Sequence, residues 1–245
     1  MGKHTPVMSI PALLAPGPLG NRAQPVKLHT LQGVHLFLGQ RRQGSRPGYP
    51  GLRQFAGNIA HPYRMAARND PWADWWLIKV EAALAQSTDD LAQLEARLDH
   101  FLAQFPLVPD DSLAQKPTEM IFHFGTPYGY LGATLLLQYD AYVKKLVQAR
   151  HLGLLDRQEL SRWIRNGRRV VIRAYLSGSG YRDLGVTRTD LQPMREPARV
   201  AAVAMGELPQ GITDASERSR HAPTIVDQST GTLRQSMGAV GPATR

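Results

Sequence analysis

Asp156–Leu176, DRQELSRWIRNGRRVVIRAYL, is the stretch whose reading decides the fold. Asp156 caps a helix that runs to about Leu176. Leu160, Trp163, Ile164, Val170, Val171 and Ala174 recur at helical intervals. On the other face, Arg162, Arg165, Arg169 and Arg173 fall within about 80° of one another at 100° per residue. A strand, whose side chains alternate with a period of two, cannot present that pattern. The chain is therefore read as built around amphipathic helices, this one carrying a stripe of guanidinium groups.

Upstream of it, Gly153 stops a long helix running from Pro127 to about His151. Before that helix, Thr118–Phe124 (TEMIFHF) alternates, with Met120, Phe122 and Phe124 on one side and Glu119, Ile121 and His123 on the other. That is the period of a short strand. Pro106–Pro117 reads as a loop. Asp70-Pro71 is an N-cap with proline in the first turn, opening a helix with Trp72, Trp75, Trp76, Lys79, Val80 and Ala83 at helical spacing. Asp89–Phe105 reads as a second acidic helix, the two forming an antiparallel pair across Ser87-Thr88. Leu52–Asn69 is a helix bent at Pro62, Gln40–Gly51 (QRRQGSRPGYPG) a basic, turn-rich loop, and Leu31–Gly39 a short helix.

Ahead of these, Pro25–Thr30 (PVKLHT) alternates as a half-exposed strand, Val26 and Leu28 opposite Lys27 and His29. Downstream of the arginine helix, Ser177–Gly180 is a linker, and a last helix is expected from about Thr189 to Gly206, strained by Pro197. Residues 1–24, rich in Pro and Gly, and 210–245, polar and aperiodic, are expected to be disordered. One domain, 25–209, is expected between them, mainly α with one or two short β-strands.

Charge along the chain is uneven. The first 69 residues hold nine Lys and Arg and no Asp or Glu, residues 70–111 hold nine carboxylates against Lys79 and Arg97, and the whole carries +9. Such asymmetry points to a polyanionic partner, of which nucleic acid is the commonest. The chain has no cysteine, which removes disulfides, thiolate metal sites and a thiol nucleophile. No apolar run approaches the roughly 18 residues of a spanning helix, so a membrane partner is not expected and a cytoplasmic location is.

No enzyme signature emerges. The eight histidines are scattered, none at i,i+4 from another with an intervening Glu, and no phosphate loop, dinucleotide fingerprint or nucleophile elbow occurs. Asp89-Asp90 and Asp110-Asp111 read as caps and turn residues, and the three tryptophans as core or interface aromatics. No catalytic residue, metal or cofactor is expected.

Two basic surfaces remain. The ridge Arg162, Arg165, Arg169 and Arg173 suits successive phosphates or an acidic protein helix, against the plainer reading of a helix facing water. The acidic segment 70–111 is an internal competitor for it. In the second surface, Lys27 and His29 point out of a two-stranded ribbon made with a dimer mate, a shape that fits the major groove. Arg41, Arg42, Arg46 and Arg53 then approach the phosphate backbone. Thr118–Phe124 is the competing ribbon strand, ranked second because Glu119 would face phosphates.

Several stretches together resemble one family. They are Val26–Gly39 (VKLHTLQGVHLFLG), Gly51–Ala56 (GLRQFA), Asp70–Trp76 (DPWADWW), Phe122–Asp140 (FHFGTPYGYLGATLLLQYD), Ala149–Glu159 (ARHLGLLDRQE), Tyr181–Asp190 (YRDLGVTRTD) and Met205–Pro209 (MGELP). Their order and spacing are similar to those of the integrating conjugative element proteins related to the plasmid transcriptional regulator AcaB. The resemblance implies a ribbon–helix–helix-like dimer element, double-stranded DNA as partner, and regulation of transfer genes without enzymatic activity. A structural or adaptor component of the transfer apparatus, meeting other conjugative-element proteins, is the alternative.

Overall fold

Helix α4 (Pro127–His151) is the axis of the molecule, with nearly half of its residues buried. Its buried residues include Tyr128, Leu135, Leu136, Tyr139, Tyr142, Val143 and Leu146. In the computed structural model, which describes residues 24–45, 47–105, 116–192 and 194–226, the other elements pack around it. They are β1 (Gln24–Leu28), α1 (Leu31–Leu38), β2 (Gly39–Gln40), β3 (Tyr49–Pro50), α2 (Leu52–Ala67), α3 (Pro71–Leu102), β4 (Thr118–Phe122), α5 (Arg157–Ser177), α6 (Glu196–Met205) and α7 (Gln210–Thr213). The class is mainly α with short antiparallel strands, as the periodicities predict. None of these helices is long and apolar enough to cross a membrane.

Helix α5 starts as expected, with Asp156 accepting from the amides of Gln158 and Glu159 and Glu159 returning a bond from the Asp156 amide. Its apolar face lies on α4 at close range. A Cβ on Gly167 would stand 2.9 Å from the Tyr142 ring, so only glycine allows this approach. Tyr175, fully buried, donates to the Gly132 carbonyl at 2.9 Å.

The acidic pair of helices is corrected to one continuous helix. Helix α3 runs 32 residues without a turn at Ser87-Thr88. Neither residue breaks a helix as Gly or Pro does, and Thr88 donates its hydroxyl to the Leu84 carbonyl, a bond that helical geometry accommodates. Leu77, Val80, Leu84, Leu91 and Leu98 form one uninterrupted buried stripe along it, and burial of that stripe decides for continuity.

The ribbon is also corrected. Both candidate strands are used, and they pair with each other: β1 runs antiparallel to β4 within one chain, Val26 opposite Met120 and Lys27 opposite Glu119. Val26 and Leu28 face the core while Lys27, His29, Glu119 and Ile121 face outward. A second, smaller ribbon pairs Gln40 with Tyr49 and closes the loop between them.

The last third departs from expectation in two places. Pro197 sits in the first turn of α6, where a missing amide costs no helical bond, so no strain arises. The helix expected from Thr189 is instead a 3₁₀ turn, Arg188–Asp190, followed by α6. Residues 210–226, expected in a disordered tail, are packed: Ile212 and Ser219 are buried, and the Val226 amide bonds the Ala67 carbonyl at 2.8 Å. The expectations for 1–23 and 227–245 lie outside the described residues.

Candidate nucleic-acid interface

The short β2–β3 ribbon brings the basic loop back onto α5. Gly39 makes this possible, with φ +77° and a Cβ position only 2.4 Å from the Gly51 amide nitrogen. Tyr49, at the ribbon's far strand, lies beneath Arg168 of α5, whose guanidinium carbon is 4.6 Å from the ring centroid. This cation–π contact ties the loop to the arginine helix.

Two hollows flank Tyr49. One, about 630 Å³, is bordered by Arg165, Arg168 and Arg169, with Ile172 and Leu176 supplying apolar surface. The other, about 640 Å³, is bordered by Arg41, Arg42 and Gln54. Gln40, Gly48 and Tyr49 line both, so the loop cations and the helix cations border neighbouring hollows that share the β2–β3 ribbon as a wall.

The candidate residues divide accordingly. Arg41 and Arg42 border one hollow and Arg165 and Arg169 the other, with Arg162 exposed on the same ridge one turn nearer the start of α5. Arg42 is steadied by a long bond to the Gly44 carbonyl at 3.5 Å. Arg173, the fourth ridge residue, is paired with Asp90 of α3. Asp90 is held below the usual carboxylate range, first by the hydrogen bond from Gln86 and then by Arg173. Arg53 is exposed on α2 but borders neither hollow, and Arg46 lies outside the described residues.

Lys27 and His29 are not brought to this surface. Lys27 forms an exposed ion pair with Glu119 at 3.2 Å, so a carboxylate already answers the cation expected to read DNA. The His29 side chain is exposed, while its amide donates to Asp140 at 2.7 Å.

Two residues of the surface escape the sequence reading, Arg168 and Tyr49. Arg168 falls off the stripe by one position, and Tyr49 stands in a loop whose return path the sequence does not specify. The signal that could have found them is an aromatic residue interleaved with arginines in a basic loop.

The acidic helix is neutralised largely inside the molecule. Asp70 accepts from Tyr181 at 2.5 Å, and fully buried Asp74 binds Arg188 at 2.7 Å and Arg218 at 2.8 Å. Glu81 accepts from Ser219 and from the Arg220 amide, and Glu95 and Asp99 hold Lys145 at 2.7 and 3.1 Å. Of the ridge, Arg173 alone pairs with a carboxylate among the described residues. Arg162, Arg165 and Arg169 form no ion pair with any described residue. Among the described residues no cluster of three or more His, Asp or Glu is arranged to hold a metal ion.

No curated protein matches the chain. Selenomethionine-containing AcaB from uropathogenic E. coli, a crystal structure, shares the fold with a TM-score of 0.50 at 15% identity. The likeness covers 80% of this chain and 96% of that one. The family model described as transcriptional regulator AcaB matches residues 15–226, a span that takes in the ribbon, the arginine helix and the packed C-terminal segment. A match over that whole length makes this chain a member of the AcaB family of transcriptional regulators.

Proposed function

We propose that this protein is a DNA-binding regulator of the transfer genes of an integrative conjugative element, acting in the cytoplasm as a homodimer. Duplex DNA lies against Arg162, Arg165 and Arg169 with Arg41 and Arg42 at its side. The observation that carries this reading is the pairing of charges in three dimensions. The acidic helix is engaged by internal partners while three cations on consecutive turns of α5 have none among the described residues. Guanidinium groups at turn spacing match a phosphate lattice and release its counterions. The family resemblance supports dimerisation, as does the ribbon, whose two strands each keep one edge that no other strand pairs among the described residues.

The test is a mobility-shift titration of the purified protein against the element's own promoter duplexes at two salt concentrations. Specific affinity should exceed that for random duplex by at least about 10³-fold. Arg165→Glu with Arg169→Glu should weaken binding to both and reduce the salt slope by about one for each phosphate left unneutralised. Equal affinity for promoter and random DNA would remove the regulator reading. Loss of specific binding in Lys27→Glu/His29→Glu, with the ridge variant unaffected, would move the site to the β1–β4 ribbon.

The Arg173–Asp90 pair favours one second reading, since it places an acidic helix against the ridge. In that reading the protein is an adaptor, and an acidic helix of another transfer protein extends this contact. Retention of a protein partner by the ridge with no DNA shift at low salt is its distinguishing result.

A further inference from the structure

The hollow beside Tyr49 has features that a phosphate backbone does not require. A groove tracking duplex phosphates needs only cations along its rim. Here Arg165 and Arg169 stand together with Ile172 and with Leu176, which is 50% exposed, so the hollow joins cations to apolar surface. Arg168 is half-buried and fixed over the Tyr49 ring at 4.6 Å. An arginine beside an aromatic ring is a surface on which a planar heterocycle can stack. At about 630 Å³ the hollow falls within the range of small-molecule sites and is far too small for a duplex.

We propose that this hollow binds a single nucleotide unit, its base against Arg168, Ile172 and Leu176 and its phosphate on Arg165 and Arg169. The shared chemistry is a planar heterocycle joined to a phosphate. Its source is either a free nucleotide or an unpaired nucleotide of a DNA strand. The inference goes beyond the duplex reading: it shares Arg165 and Arg169 with it but adds Arg168, Ile172 and Leu176, which duplex binding leaves idle.

The experiment is calorimetric titration of the full-length protein with dATP, inorganic triphosphate and deoxyadenosine, beside a duplex titration on the same preparation. dATP should bind at least about tenfold more tightly than inorganic triphosphate, the advantage expected of one stacked base. Arg168→Ala and Leu176→Ser, both at the surface, should each remove most of that advantage. A 5′-phosphorylated single-stranded hexanucleotide that displaces dATP identifies the strand as source, and one that does not identifies the free nucleotide. Equal affinity for dATP and triphosphate, or no dATP binding at millimolar concentration, overturns the inference. Duplex binding that persists in that case leaves the regulator reading standing. Nucleotide binding without duplex binding removes the regulator reading and supports the inference.

Discussion

Asp140 and Thr30, 110 residues apart, are joined at two points: one carboxylate oxygen of Asp140 accepts from the Thr30 amide at 3.0 Å and from its hydroxyl at 2.6 Å. The other oxygen accepts from the His29 amide at 2.7 Å. Thr30 is the N-cap of α1 and passes the contact on by accepting from the Gly33 amide. A buried carboxylate on α4 thus fixes the junction between β1 and α1 and stands at the positive end of α1.

Asp140→Ala leaves the His29 and Thr30 amides and the Thr30 hydroxyl without their buried acceptor and should lower unfolding free energy by about 3 kcal/mol. Gly33→Ala acts at the same point from the other side, because its Cβ would stand 2.4 Å from the Asp140 carboxylate oxygen. It should cost about 1–3 kcal/mol through overpacking. Urea denaturation measures both, and a loss under about 1 kcal/mol for Asp140→Ala would show that the junction is held by other means.

The C-terminal segment is expected to be part of the folded unit. Arg218 and Arg188 share the fully buried Asp74, and Arg188 also donates to Asn69 and to the Ile212 carbonyl. Arg218→Ala leaves Asp74 with Arg188 and should cost about 1–3 kcal/mol. A chain ending at Pro209 also loses Ser219 and the Ile212 packing and should cost at least about 3 kcal/mol. An unchanged thermal midpoint for the shortened chain would reduce the segment to a passive strap.

Asp90 limits how many ridge cations meet DNA. Asp90→Asn frees Arg173 and removes a negative charge near the groove, so duplex affinity should rise several-fold at low salt. The salt slope should steepen by about one, as for one additional phosphate contact. Anisotropy titrations at three salt concentrations read both quantities. A rise in affinity with no change of slope would mean that Arg173 stays away from the DNA.

Stability should depend on pH through Asp70. Burial raises its carboxyl above the ordinary range, more than the hydrogen bonds from Tyr181 and the amides of Ala73 and Trp72 lower it, and Asp183 adds repulsion. A carboxyl raised on folding binds its proton more tightly in the native state. Its contribution is therefore fully present below the unfolded value of 3.8 and is lost as pH rises through the folded value. Asp70→Asn keeps the helix cap and removes the charge. It should be more favourable, relative to the parent, at pH 7 than at pH 3.5. Urea midpoints at the two pH values decide the sign.

The helices around Asp156–Leu176, Pro127–His151 and Leu52–Ala67 are legible because each writes its own period into neighbouring residues. The cap at Asp156 and the alternation in PVKLHT and TEMIFHF are properties of a few adjacent positions. Ser87-Thr88 misleads for the converse reason. Polar residues mark a turn only if nothing buries them, and the stripe from Leu77 to Leu98 buries Ser87. The C-terminal segment hides its packing in the same way, since Arg218 and Ser219 look like solvent residues until Asp74 and Glu81 are found opposite them.

Composition and periodicity alone determined that this chain is helical, that its basic charge is in excess, and that one helix presents arginines at turn spacing. Only the tertiary structure decided which cations are already paired. Lys27, Arg173, Arg188 and Arg218 are answered by carboxylates between 83 and 144 residues away, or across a strand pair, while Arg162, Arg165 and Arg169 are answered by none among the described residues. Helical period depends on bonds four residues apart and can be read locally. Charge neutralisation depends on approach within a few ångströms, which folding brings about between residues that the chain keeps far apart.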